Sequence, residues 1–99
     1  MRIAYSPRAV VQINQAFDHI AADDLAAARP FMARVESIAA LLAKRPGVGR
    51  KTSRPGVQVI GLSPYSYLLF YTVLPENDQI RIVRLRHMSR RDALDARGL

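Results

Sequence analysis

Ser66-Tyr67-Leu68-Leu69-Phe70-Tyr71-Thr72-Val73-Leu74 is followed by Pro75-Glu76-Asn77-Asp78 and then by Gln79-Ile80-Arg81-Ile82-Val83-Arg84-Leu85-Arg86. The first run is almost continuously apolar or aromatic, the pattern of a central strand covered on both faces. The next four residues are turn formers. The last run alternates. A period of two places Ile80, Ile82, Arg84 and Arg86 on one side, and Arg81, Val83, Leu85 and His87 on the other. Upstream, residues 57–62 are β-rich and Ser63-Pro64-Tyr65 breaks them. Three strands with short connections form an antiparallel meander.

Working outward, the N-terminal half reads as helical. Ser6-Pro7 matches an N-cap followed by proline at the first helical position. Val10, Ile13, Phe17 and Ile20 recur at helical spacing and make one apolar stripe. Asp23-Asp24 punctuates the chain and can cap a second helix. That helix carries the stripe Phe31, Val35, Ile38 and Leu42 and runs to about Lys44, where Lys44 and Arg45 suit the helix C-terminal dipole. Pro30 removes a backbone donor, so this helix is either kinked near residues 26–30 or regular only from Pro30. Pro46-Gly47 ends it. Two stripes joined by a short acidic connection make an αα-hairpin. In front of them, residues 2–5 alternate, with Ile3 and Tyr5 on one side, and read as an opening strand. The expected architecture is a single α+β domain over residues 1–99. It has an N-terminal strand, an αα-hairpin on one face of a small antiparallel sheet, and a C-terminal three-stranded meander.

The charge is placed unevenly. The 99 residues carry 15 Lys+Arg against 8 Asp+Glu, a net charge of +7. Lys44, Arg45, Arg50, Lys51, Arg54, Arg81, Arg84, Arg86, Arg90 and Arg91 all lie between Ser37 and Arg91, opposed only by Glu76 and Asp78. They form two clusters, residues 44–54 and 81–91, and folding is expected to join them into one positive face for an acidic partner. At 49% hydrophobic and 23% charged, the chain is not of the disordered class. It has no cysteine, hence no disulfide framework and no thiolate metal site. No apolar run approaches the roughly 18 residues of a membrane span. Met1 to Tyr5 is followed by Ser6-Pro7-Arg8 rather than an apolar leader core. A cytoplasmic domain without cofactor or metal is expected.

Individual motifs are few. Gly47-Val48-Gly49-Arg50-Lys51 has the composition of a phosphate loop but follows a helix and precedes a strand. The phosphate loop has the opposite order, so this reads as a helix stop and turn. His19 reads as a surface or boundary residue with no second metal ligand at helical spacing. His87 has two readings. Among Arg84, Arg86, Arg90 and Arg91 its neutral form is favoured, which suits a general base or a phosphate partner. By alternation it also caps the helix-covered face beside Val83 and Leu85. Tyr67 and Tyr71 share strand parity and read as core residues with a hydroxyl at the rim.

The order of elements, the helix end Lys44-Arg45-Pro46-Gly47-Val48-Gly49-Arg50, the strand Tyr67-Leu68-Leu69-Phe70-Tyr71-Thr72-Val73 and the ending Ile82-Val83-Arg84-Leu85-Arg86-His87-Met88-Ser89-Arg90-Arg91-Asp92 resemble the RelE/ParE superfamily of toxins from bacterial type II toxin–antitoxin modules. The resemblance implies a helical hairpin on a small antiparallel sheet, and a cognate antitoxin as partner. RelE-like members are ribosome-dependent messenger RNA endonucleases; ParE-like members inhibit DNA gyrase. Nuclease members carry an arginine in a Tyr-Arg-Leu-Val-Tyr-like strand, and the matching position here is Leu68. Their lysine pair has its nearest counterpart in Arg50-Lys51. Of their C-terminal tyrosine or histidine, only His87 remains. The Arg86-His87 ending is more ParE-like. The resemblance therefore implies a ParE-like toxin acting on a protein target, gyrase, with an mRNA endoribonuclease as the alternative. Arg50, Lys51, Arg54, Arg84, Arg86, His87, Arg90 and Arg91 are the expected target- or antitoxin-binding residues. Under the alternative, His87, Arg86, Arg84 and Lys51 would be catalytic.

Overall fold

The computed structural model describes residues 1–89. In chain order the elements are β1 (Arg2–Tyr5), α1 (Pro7–Asp23), α2 (Leu25–Lys44), a 3₁₀ turn (Pro46–Val48), β2 (Arg50–Lys51), β3 (Val57–Gly61), β4 (Tyr67–Leu74), a second 3₁₀ turn (Pro75–Asn77) and β5 (Gln79–His87). The strands form one sheet in the order β1-β5-β4-β3-β2. Both helices pack on one face of it, so the α+β architecture and the β3–β4–β5 meander stand as the sequence indicates.

The sheet is mixed rather than antiparallel. β1 joins the edge parallel to β5, with Ile3 opposite Ile80 and Tyr5 opposite Ile82. A four-residue strand carries no mark of its partner in its own sequence; the hairpin that follows determines where it lands. Ser6 fixes this junction three times over. Its backbone N–H donates to the Ile82 carbonyl at 2.9 Å. Its hydroxyl donates to the Val83 carbonyl at 3.1 Å and accepts from the Ala9 N–H at 3.1 Å. One residue thus caps α1 and ties it to β5.

The helices form for the reasons their sequences give, with two corrections. The buried side of α1 is Ala9, Ile13 and Ala16, with Phe17 and Ile20 partly covered. Val10 stays 45% exposed, so it does not belong to the stripe. Small alanines replace it and let the helix approach the sheet closely. In α2, Phe31, Val35, Ile38 and Leu42 are all buried. Asp24 caps this helix, accepting from the Ala26 N–H at 3.0 Å. The helix is regular from Leu25, not from Pro30. Pro30 and Ala26 are both exposed, so the carbonyl that loses its i+4 donor faces solvent.

The alternation expected for β5 holds only in its first half. Phe70 is opposite Arg84 while Tyr71 is opposite Ile82, which leaves Val83 as an extra residue in a β-bulge. One inserted residue reverses a period of two. Ile80, Ile82 and Leu85 therefore lie in the helix-side core, whereas Val83 belongs to the cluster on the other face. Arg84 and Arg86 sit opposite Phe70 and Leu68, away from Ile80 and Ile82.

A third difference lies in the basic stretch after α2. It is not all loop: Arg50 and Lys51 pair with Val59 and Gln58 as a short edge strand. The tail after residue 89, including Arg90 and Arg91, lies outside the described residues.

Candidate functional site

The face of the sheet away from the helices has an apolar floor. Val57, Val59, Leu68 and Phe70 are buried there, with Val83 packed against them, and no residue of that cluster is helical. The strand register then places the arginines. Arg50, Val59, Phe70 and Arg84 are successive partners across β2, β3, β4 and β5. Adjacent strands are about 4.8 Å apart, so the two arginines end a row about 14 Å long. Gly61, Leu68 and Arg86 form the next row. The guanidinium carbon of Arg86 lies 5.7 Å from the centre of the Phe70 ring, within cation–π range. Arg84 and Arg86 are only 8% and 5% exposed, so their charged heads are covered as well as their stems. Arg50 is exposed at the opposite end. The register thus joins the two basic clusters of the sequence across an apolar strip, through Arg50 on one side and Arg84 and Arg86 on the other.

The remaining candidates lie elsewhere. Lys51 is opposite Gln58, out of phase with Arg50. With Arg54 it borders a separate groove of about 460 Å³ at the β2–β3 loop. His87 is opposite Tyr67, and the two rings meet edge to face at 5.0 Å and 82°. Its Nδ1 accepts from the Ser89 N–H at 3.0 Å and lies 2.6 Å from the Ser89 hydroxyl, which leaves the proton of the neutral ring on Nε2. Its neighbours fit both readings: it packs on Tyr67, and it lines a cleft with Arg84 and Arg86. Of the four residues of the nuclease alternative, His87, Arg86 and Arg84 line one cleft, whereas Lys51 is in the edge strand β2, with β3 and β4 between it and β5.

His19 and His87 line one cleft of about 280 Å³ between α1 and the end of β5, together with Gln12, Gln15, Tyr67, Arg84 and Arg86. β1 ends opposite Ile82, so β5 runs on beyond its neighbour. There the Gln12 side chain accepts from the Leu85 N–H at 2.9 Å. Sequence reading passed over Gln12, because a glutamine in a helix carries no signal of a long-range backbone bond. Among the described residues, no three metal-ligating side chains are grouped. Nor is any helix there long and apolar enough to cross a membrane.

The support beneath Arg50 was equally hidden. Tyr71 is fully buried, and its hydroxyl accepts from the Gly49 N–H at 2.9 Å and donates to the Pro46 carbonyl at 2.8 Å. Burial pushes its phenol above the usual value, and the Gly49 bond draws it partly back. Burial also raises the phenols of Tyr67 and Tyr5, the latter helped by Glu36.

Comparisons with known proteins agree with this fold. The family model described as the ParE toxin of type II toxin–antitoxin systems, parDE, matches residues 3–92. The chromosomal ParDE system of P. aeruginosa superposes with a TM-score of 0.71 at 19% identity, over 90% of this chain and 97% of that one. The isolated E. coli RelE toxin superposes at 0.67 with 13% identity, covering 90% and 85%. A chain of the intact E. coli RelBE toxin–antitoxin complex gives the same score and identity, covering 90% and 98%. No curated protein matches the chain by sequence.

Proposed function

Because the chain belongs to the ParE toxin family of type II toxin–antitoxin systems, we propose that it arrests growth by binding a protein target, DNA gyrase, through the arginine-ended open face of its sheet, and that a cognate antitoxin neutralises it. The observation that supports this reading is the row Arg50–Val59–Phe70–Arg84: Val59, Phe70 and Arg84 are buried, and Arg50 is the exposed cation at its end that can meet an acidic partner. Its acidic partner surface is a protein rather than a phosphodiester. Of the residues of the nuclease alternative, Lys51 lies two strands away from the cleft that Arg84, Arg86 and His87 line, so the four do not converge on one phosphate. The antitoxin is the expected occupant of the face in the resting cell, and the action is cytoplasmic.

The test is a supercoiling assay with purified gyrase and the full chain. Inhibition at saturating protein, relieved by the antitoxin encoded beside it, is expected. Normal supercoiling, with ribosome-bound message cleaved after induction, would overturn this reading in favour of an endoribonuclease.

A further inference from the structure

Arg50 is the exposed cation of the open face, yet its own strand is two residues long. Two ladder positions are too few to hold a strand in place. What holds it is the preceding peptide. Gln58 and Tyr71 are cross-strand partners on β3 and β4. Tyr71 takes the Gly49 N–H through its hydroxyl, and Gln58 takes the Gly49 carbonyl through its amide N–H at 3.2 Å. Both backbone groups of one residue are thus gripped by one side-chain pair. The fit leaves no slack: a Cβ on Gly49 would stand 2.5 Å from the Tyr71 hydroxyl and 2.9 Å from the Val59 carbonyl oxygen. The same hydroxyl reaches Pro46, so the whole turn from α2 into β2 is drawn against the sheet.

We infer that Gln58 and Tyr71 are positioning residues: they clamp Gly49 and thereby place the exposed Arg50 at the end of the row for a carboxylate of the partner. This rests on the reading of the open face as the binding surface. A partner protein with a carboxylate at that place is favoured, because a held arginine loses less side-chain and backbone freedom on binding. Tyr71→Phe keeps the ring and its packing and removes only the hydroxyl. Tyr65→Phe is the matched control. Its hydroxyl donates to the Ala27 carbonyl at 2.9 Å, tying the β3–β4 loop to α2 far from Arg50.

The experiment counts surviving cells after induced expression of the full chain, at equal soluble level. Alongside it, amide exchange is measured on the purified protein. Arg50→Ala is expected to raise survival about 10-fold or more, and Tyr71→Phe to raise it comparably. The double variant should do no more than Arg50→Ala alone, because the two act as one unit. Tyr65→Phe should kill like the wild type. The Thr52 amide, which bonds the Val57 carbonyl at 3.2 Å just beyond β2, should exchange on the order of 3- to 10-fold faster in Tyr71→Phe and unchanged in Tyr65→Phe. Wild-type killing by Tyr71→Phe beside a harmless Arg50→Ala would overturn the inference, as would multiplying effects in the double variant. Wild-type killing by Arg50→Ala would instead overturn the open-face reading; the clamp itself would then stand or fall on Thr52 exchange.

Discussion

The two faces of this sheet are built from the same strands and do opposite work. On the helix side, β4 and β5 contribute Tyr67, Leu69, Tyr71, Ile80, Ile82 and Leu85 to a core completed by α1 and α2. On the open side the same strands contribute Leu68, Phe70 and Val83, with Arg84 and Arg86 beside them. The switch between the two is a single residue. Without the bulge at Val83, an unbroken alternation in β5 would carry Arg84 and Arg86 to the helix side with Ile80 and Ile82. The comparison teaches that a strand with one apolar phase can serve a core in one half and a charged surface in the other, provided the phase is reversed once. The bulge also falls where Ser6 grips β5 through the Ile82 and Val83 carbonyls, so the reversal is anchored as well as inserted.

Deleting Val83 tests that reading most directly. Ile82 then precedes Arg84, and an unbroken period of two keeps Ile80, Ile82 and Leu85 on the helix side and Arg84 and Arg86 on the other. The cost is confined to the Val83 side chain and to the Ser6 hydroxyl bond to its carbonyl, about 1–4 kcal/mol. The expected result is a cooperative thermal transition at lower temperature, with dispersed amide resonances retained. Loss of both would show that the bulge does more than set the phase.

A smaller effect separates the faces by pH. Of the phenols raised by burial, Tyr67 and Tyr71 belong to the helix-side core, and Tyr5 is on the edge strand β1. A phenol with a higher pKa folded than unfolded contributes stability that is complete below the unfolded value near 10 and is lost as pH rises through the folded one. Urea midpoints measured from pH 9 to 11 should therefore fall, and the fall should be shallower in Tyr71→Phe. An equal slope in the variant would mean that Tyr71 ionises as freely folded as unfolded.

Most of the helix side was legible in the sequence. Phe31, Val35, Ile38 and Leu42 sit at helical spacing because one helix face needs them there. Ser6 and Asp24 cap helices because short polar side chains reach the first free N–H groups. The open side was half legible. Arg50, Arg84 and Arg86 were visible as charges, but the face each occupies depends on a register across four strands, and no local pattern encodes that. The bulge hid for the same reason: Val83 is an ordinary strand residue, extra only relative to β4. The clamp was out of reach because Tyr71 and Gly49 are 22 positions apart, and a buried tyrosine hydroxyl has no sequence mark. Val10 was misplaced because spacing alone cannot distinguish a valine at the margin of a stripe from an alanine at its centre.

The central claim is that the open face, and not the chain's net charge, meets the target. Two charge reversals of equal size test it: Arg50→Glu on the open face, and Arg29→Glu on the exposed side of α2. Growth after induced expression of each full chain, at matched soluble level, is the measurement. The expected result is growth arrest lost with Arg50→Glu and retained with Arg29→Glu. Equal arrest by both, or equal loss in both, would contradict the account.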